Sequence, residues 1–310
     1  MTNLAIRAES LWKIYNSKDG RVVALKDISI NVEKNKITTL LGRNGAGKTT
    51  FLRIAATQLI PTKGKIEVMG YDAVNQPYMV REKIAVVPQD AKPLLFPSPL
   101  EYVSSILTMR GYSFSEAKSI AHEALQELGF SEAQMRQAAW DLSGGYQRRL
   151  LLAAVLAINA ELILLDEPTI GLDPIARREL WGEIAYLKKR NKTILLTTHY
   201  MDEAEKLSDK VIIIHNGQKI LEDEPKKLID RFQWKRKVEV LDECDRELMS
   251  KYGEVHGTKA PYIIYLNDDF DRAVRELNIH GCRSIAGLTN LEDVFLYSVG
   301  EEKWKLIGEE

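Results

Sequence analysis

The chain has 310 residues, of which 45% are hydrophobic and 28% charged; this is the balance of a globular protein, and it excludes a disordered chain, a collagen-like repeat and a body embedded wholly in a bilayer. Lys plus Arg number 43 against 44 Asp plus Glu, a formal net charge of -1, so no global basic field advertises nucleic acid or an anionic membrane. At roughly 150 residues per domain the length suits about two domains.

The N-terminus, MTNLAIRAESLW, lacks the basic-then-apolar layout of a secretory signal, and the longest apolar run, Leu150 to Ile158, is about half of what spans a bilayer. A cytoplasmic protein is expected, touching a membrane only through a partner. Next comes a strand-like run, Ile37 to Leu41, preceded by Asn35-Lys36, where Asn tolerates a left-handed turn. It leads into Gly42-Arg43-Asn44-Gly45-Ala46-Gly47-Lys48-Thr49, which fits G-x-x-x-x-G-K-[ST] and opens a helical run from Thr50 to Ala56. In such a Walker A loop the glycines let successive backbone N–H groups turn inward around an anion, and the helix N-terminus adds positive potential. Lys48 would reach the terminal phosphates and the Thr49 hydroxyl would hold Mg²⁺.

A second apolar run, Ile84 to Val87, ends at Pro88-Gln89, and the stretch from Pro88 to Pro99 holds four of the ten prolines. That density excludes regular structure and marks a long surface loop. Within it Leu94, Leu95 and Phe96 have no evident core to enter. From Pro99 to Ile158 apolar residues recur at helical spacing, beginning Leu100, Val103, Ile106, Leu107, and predict a helical insert. Near its end Leu142-Ser143-Gly144-Gly145-Tyr146-Gln147 precedes a helical run. Ser143 suits the cap, and the two glycines would expose the helix amides as a second anion site.

Two further apolar runs complete the pattern: Leu162 to Leu165 before Asp166-Glu167, and Ile194 to Thr198 before His199. Continuous apolar strands separated by helices argue for a parallel sheet covered on both faces, with polar residues gathered at the strands' carboxyl ends, where such sheets bind ligands. Asp166 and Glu167 would repel each other strongly without a cation nearby; with Lys48 and Mg²⁺ they read as a Walker B pair, Asp166 on the metal and Glu167 polarising water. After Pro225 the pattern becomes that of a small α+β unit of ferredoxin-like order, with strands Lys237 to Leu241, Tyr262 to Leu266 and Cys282 to Ala286. Cys244 and Cys282 stand far apart, without Cys-x-x-Cys spacing or a nearby histidine pair, and indicate neither a disulfide framework nor a zinc site.

Taken in this order, the motifs resemble those of the ATP-binding subunit of an ABC transporter, over about residues 4 to 225, with Leu142 to Gln147 similar to the LSGGQ signature except for Tyr146 where glutamine is usual. The resemblance implies an α/β P-loop NTPase fold of ABC type. That means a mostly parallel sheet, an antiparallel β subdomain and a helical insert at about 99–158, all within residues 1–225, followed by an accessory α+β ferredoxin-like domain at 226–310. It implies an ATP hydrolase with ATP and Mg²⁺ as ligands. Glu167 and His199 would be catalytic, and Thr49, Gln89 and Asp166 would surround the metal. Nucleotide contacts would come from Tyr15 on adenine, Gly42, Arg43, Asn44, Gly45, Ala46, Gly47, Lys48, Thr49 and Thr50 on the phosphates, and Gln89, Ser143, Gly144, Gly145 and Asp173. The segment Asn16 to Arg21 would lengthen the loop after Tyr15. No Asn-Lys-x-Asp motif reads guanine, so ATP is favoured over GTP.

The same resemblance implies a head-to-tail homodimer with ATP at its interface, an integral membrane permease as partner, a location on the inner face of the cell membrane through that partner, and no nucleic acid. The sequences His199-Tyr200-Met201-Asp202-Glu203-Ala204-Glu205 and Asn290-Leu291-Glu292-Asp293-Val294-Phe295-Leu296 are similar to the drug-resistance and polysaccharide-export branch, whose membrane subunits are separate chains. Export is therefore the expected direction. A soluble ABC ATPase acting on a non-membrane assembly complex is the alternative.

Overall fold

The computed structural model describes residues 3–17, 20–94, 96–266 and 270–300, so Leu95 of the proline-rich loop lies outside the described residues. Contacts divide the chain into two units, Met1–Lys219 and Ile220–Glu310.

In the first unit, strands β1 (Leu4–Ser17), β2 (Gly20–Glu33), β4 (Lys63–Val68) and β5 (Tyr71–Asp72) form an antiparallel sheet of order β2-β1-β4-β5; β3 (Ile37–Leu41) falls between them in sequence and belongs elsewhere. The β1–β2 ladder continues through Tyr15 opposite Val22 and Asn16 opposite Arg21. Asn16, Ser17, Gly20 and Arg21 of the segment expected to lengthen a loop after Tyr15 are thus paired strand ends, while Lys18 and Asp19 lie outside the described residues. Strand β3 joins β6 (Ile84–Val87), β7 (Leu162–Asp166), β8 (Thr193–Thr198), β9 (Lys210–His215) and β10 (Gln218–Asp223) in a sheet of order β10-β9-β3-β8-β7-β6. All residues of β3, β7 and β8 are buried, which is why these strands read as unbroken apolar runs. The pairings β9-β3, β3-β8, β8-β7 and β7-β6 are parallel. Every carboxyl end of these strands therefore lies on one edge.

The helices that cover and extend this sheet begin with α1 (Lys48–Ala55) and α2 (Pro77–Lys83). The insert follows as α3 (Pro99–Met109), α4 (Phe114–Glu127), α5 (Glu132–Arg136) and α6 (Gly144–Ile158), packed around Val103, Leu107, Leu125 and Leu150. Helices α3, α4 and α5 each start with a complete capping box, led by Ser98, Ser113 and Ser131, so three N-termini within the insert are fixed by local sequence. Helices α7 (Pro174–Lys189) and α8 (Met201–Leu207) complete the unit.

The second unit runs α9 (Pro225–Arg231), β11 (Arg236–Val240), α10 (Arg246–Ser250), β12 (Glu254–His256), β13 (Tyr262–Leu266), α11 (Phe270–Ile279), β14 (Ser284–Leu288) and α12 (Leu291–Val299). Its sheet has the order β12-β13-β11-β14 with every pairing antiparallel. Cys244 and Cys282 form a disulfide here, against the expectation that the cysteines stay unpaired. They are 38 residues apart in sequence, but β11 and β14 pair with Val240 opposite Ser284, and the ladder carries Cys244 and Cys282 to a Cα separation of 5.9 Å. Cysteine spacing alone could not reveal a pairing set by strand register.

Leu291, Val294 and Phe295 of α12 are buried, as their helical spacing predicts. Beside them Asp293, fully buried, accepts hydrogen bonds from Lys237 Nζ, Tyr265 Oη and the Asn290 backbone N–H, the first two at 3.0 Å. Burial and the Asp293 carboxylate push the Tyr265 hydroxyl far above its ordinary range, and Asp293 with Glu239 holds Lys237 charged against the opposing effect of its own burial. Replacing Asp293 with Ala leaves an ammonium desolvated with only Glu239 beside it, and should lower the stability of this unit by about 3 kcal/mol. Urea unfolding followed by circular dichroism measures this; a loss under about 1 kcal/mol would mean that the pair does not anchor α12.

Candidate nucleotide site

At the carboxyl end of β3 the chain turns through the Walker loop into α1. Gly42 must approach β9 closely, since a Cβ there would sit 2.4 Å from the Ile214 carbonyl oxygen. Gly45 and Gly47 have φ of 79° and 106°, a left-handed backbone that side-chain-bearing residues disfavour; a Cβ on Gly47 would also meet the Ala24 carbonyl oxygen at 2.5 Å. Gly47 caps α1 without any side-chain bond to its amides, so the helix start can donate to an outside anion. Arg43 is exposed, and its carbonyl takes part in the loop.

Lys48 is buried and folds back over this loop. Its Nζ donates to the carbonyl oxygens of Gly42 at 2.7 Å and Arg43 at 3.1 Å and pairs with Glu167 Oε1 at 3.1 Å. Glu167 is itself only 5% exposed, and its Oε2 lies 2.9 Å from His199 Nδ1. The order Lys48–Glu167–His199 is thus one continuous chain of polar contacts. The Glu167 backbone has φ 45° and is held by hydrogen bonds from its N–H to the Thr197 carbonyl and hydroxyl oxygens at 3.1 and 3.0 Å. Beside this chain Thr49 Oγ1 donates to Asp166 Oδ1 at 3.0 Å, and Thr197 Oγ1 donates to the same oxygen. A hydroxyl and a carboxylate at this separation make an all-oxygen donor set that suits a hard divalent cation.

An open cleft runs past the loop. Tyr15, Val22 and Val23 line one end; Asn44 to Thr50, Gln89 and Glu167 line the rest. Tyr15 is 38% exposed with Lys13 5.3 Å from its ring, an aromatic face open to a stacking partner. Seven predicted residues, Asn44 to Thr50, therefore share this cleft with Tyr15, Gln89 and Glu167, and Asp166 and His199 are bonded to its walls.

Ser143, Gly144, Gly145 and Asp173 are not among the residues lining this cleft. Ser143 caps α6, its Oγ accepting from the Tyr146 N–H at 3.4 Å, and Ser143 and Gly144 are exposed. Asp173 caps α7 by accepting from the N–H groups of Ile175 and Ala176, and those two donors hold its carboxyl below the usual carboxylate range. Tyr146, in place of the usual glutamine, packs edge-on to Phe130 with ring centroids 5.3 Å apart, while the Arg149 guanidinium sits 4.7 Å from its centroid.

Three side chains in this region escaped the sequence reading. Thr197 joins Asp166 to the Glu167 backbone, and the two adjacent threonines that end this mostly apolar strand were its available signal. Tyr200 packs against His199, the two rings tilted by 38° with centroids 4.1 Å apart. Arg148 of α6 donates to the carbonyl oxygens of Gln89 at 3.0 Å and Ala91 at 3.1 Å, tying the signature helix to the loop after β6. Nothing in its local sequence distinguishes Arg148 from a surface arginine.

Comparison with known proteins agrees with this geometry. Residues 25–170 match the family model described as ABC transporter. The chain is 34% identical over 308 residues to Nod factor export ATP-binding protein I of Rhizobium etli, covering 97% of this chain and 95% of that protein. It is 36% identical over 218 residues to the daunorubicin/doxorubicin resistance ATP-binding protein of Streptomyces peucetius, covering 70% of this chain and 64% of that one. Among solved structures, cbiO1 from Clostridium perfringens, part of an ABC transporter complex, superposes with a TM-score of 0.66 at 29% identity, covering 74% of this chain and 92% of its own. A dimeric ATP-binding cassette in a post-hydrolysis state bound to ADP and Pi matches with a TM-score of 0.63 at 25% identity, covering 71% and 98%. The Walker loop with its buried lysine, the Asp166-Glu167 strand end and a match along nearly the whole of an export ATP-binding protein lead to one assignment: the chain belongs to the ABC transporter family, as one of its ATP-binding, ATP-hydrolysing subunits.

Proposed function

We propose that the chain powers export through a separate membrane permease, with residues 1–225 as the ATPase domain and 226–310 as an accessory domain. The observation that carries the ATPase part is the buried Lys48–Glu167–His199 chain beside the Thr49–Asp166 pair. The near full-length match to a Nod factor export ATP-binding protein supports export over action on a soluble assembly. Among the described residues no helix is long and apolar enough to cross a membrane, so the transport path is assigned to a partner.

In this reading adenine stacks on Tyr15, and the phosphates run along the amides of Gly45 to Thr50. The terminal phosphate draws Lys48 Nζ away from Glu167 Oε1, and the freed carboxylate then faces the attacking water as general base. His199 stays on the other carboxylate oxygen, with the Tyr200 ring packed against its imidazole. Mg²⁺, when bound, would be held by Thr49 and Asp166 with Gln89 nearby, and would neutralise charge on the phosphates. Arg148 ties the Gln89 loop to the signature helix, so a shift of one reaches the other.

Because Ser143, Gly144 and Gly145 do not line their own chain's cleft, their amides are assigned to the nucleotide of a second copy. The working form is a head-to-tail dimer whose interface holds each ATP between the Walker loop of one copy and Ser143, Gly144 and Gly145 of the other. It would sit on the inner face of the membrane, held by the permease.

Glu167→Gln should bind MgATP as a stable dimer and hydrolyse it slower by a factor of roughly 10² or more. Phosphate release together with size-exclusion chromatography checks both halves, and near-normal turnover would remove Glu167 from the base role. Lys48→Ala should lose the rise in melting temperature that MgATP gives the native chain. An unchanged shift in a thermal scan would place the phosphates elsewhere.

Permease docking is assigned to the proline-rich loop after β6, where Phe96 is 92% exposed and Leu94 67%. Phe96→Asp should leave basal ATPase and stability within about 0.5 kcal/mol of the native chain, as surface changes do, but abolish co-purification with the permease in mild detergent. Retention of the complex would move the contact off this loop.

A further inference from the structure

Helix α8 contains a carboxylic acid that the hydrolytic scheme does not use. Glu203 is 0% exposed, and its Oε1 accepts from the Trp181 indole N–H of α7 at 2.8 Å. Its Oε2 completes no hydrogen bond, and neither does the Thr169 hydroxyl, which is 1% exposed. Thr169 belongs to the turn between Glu167 and Asp173, where the Ile170 N–H returns to the Glu167 carbonyl at 3.2 Å and the Leu172 N–H to the Thr169 carbonyl at 3.2 Å. Burial pushes the Glu203 carboxyl above its ordinary range, while the hydroxyls of Thr198 and Thr169 and the Trp181 indole, all close to it, work against that rise. Thr198 immediately precedes His199.

A third unsatisfied atom lies in the same junction. Arg177 of α7 holds its guanidinium 5.0 Å from the Tyr200 ring and 5.4 Å from the Trp181 ring and pairs with Asp202 at 3.3 Å, yet its Nε has no partner. Of the five buried side-chain atoms without a hydrogen bond among the described residues, three therefore belong to α7, α8 and the turn after Glu167. A buried polar atom left unpaired is costly, so a junction that gathers several calls for an explanation.

We propose that Glu203 is a positioning residue for hydrolysis: its carboxyl, anchored on Trp181, closes a hydrogen bond to Thr169 when the turn after Glu167 takes its working position, and so sets Glu167, His199 and the Asp173 helix in one frame. It touches neither nucleotide nor metal. The inference rests on Glu167 acting as the base, and it adds what places that base. A glutamine amide keeps the C=O that accepts from the indole N–H and places an N–H₂ where Oε2 faces the Thr169 hydroxyl, so it can keep both contacts.

The test compares Glu203→Gln, Glu203→Leu and Thr169→Val in steady-state ATPase assays, with Glu167→Gln as control. Glu203→Leu should lower kcat by roughly tenfold or more while KM for ATP stays within about twofold, the signature of an interaction made only in the transition state. Thr169→Val, which keeps side-chain shape, should fall in the same direction, and the double variant should be no worse than the weaker single one, because the two act through one bond. Glu203→Gln should stay within about threefold of the native kcat. Native kcat in Thr169→Val, a Glu203→Gln as impaired as Glu203→Leu, or a change confined to KM overturns the proposal. If Glu203→Leu does not fold, Thr169→Val and Trp181→Phe decide, since each removes one partner of the carboxyl. Normal hydrolysis by Glu167→Gln would instead sink the base assignment, whereas a dead Glu167→Gln beside a fully active Thr169→Val sinks only this inference.

Discussion

Lys48 and Glu167 bury opposite charges 3.1 Å apart with side chains only 4% and 5% exposed, and this constrains everything around them. Either charge alone in that position would cost several kcal/mol in lost hydration. The pair therefore brings the loop after β3 and the end of β7 together. In the proposed reading, nucleotide competes with this internal carboxylate for the same ammonium, and the group displaced by that competition is the one needed next, so that occupancy of the phosphate cradle and release of the base are a single event.

The sheet makes the meeting possible. In a parallel ladder residues at the same depth stay level from strand to strand, and here Leu41 pairs with Thr198, Asp166 with Thr197 and Val87 with Leu165. A slip of one residue in any ladder would turn the strand's side chains to the opposite face. The Walker loop, the Asp166-Glu167 pair, His199 and Gln89 each leave a strand at its carboxyl end, which gathers them without any contact between them in sequence. The apolar interiors of those strands hold the geometry; the polar ends use it.

Much of this was legible beforehand, for reasons that differ by residue. The Walker loop, its glycines and the strand that feeds it are local, and so is the serine cap of α6; sequence order is enough to place them. Asn35 in a left-handed turn, with φ 59°, was equally local. Contacts that depend on strand register or side-chain reach were not. The Cys244–Cys282 bond needs the β11–β14 register, the ribbon around Asn16 needs its partner strand, and the hold of Arg148 on the Gln89 loop crosses 59 residues. Glu203 looked like any acidic residue in an exposed helix until α7 was packed against it.

The backbone at Glu167 carries a further implication. A glutamate at φ 45° sits where side chains with a Cβ are disfavoured by on the order of 1 kcal/mol and where glycine or asparagine rest more easily. Glycine or asparagine here would ease the turn, but it would also strip the carboxylate from a buried ammonium, which is the larger loss. The ion pair thus keeps a glutamate in a backbone it would otherwise leave, and a library of variants ranked by thermal resistance alone would retain it.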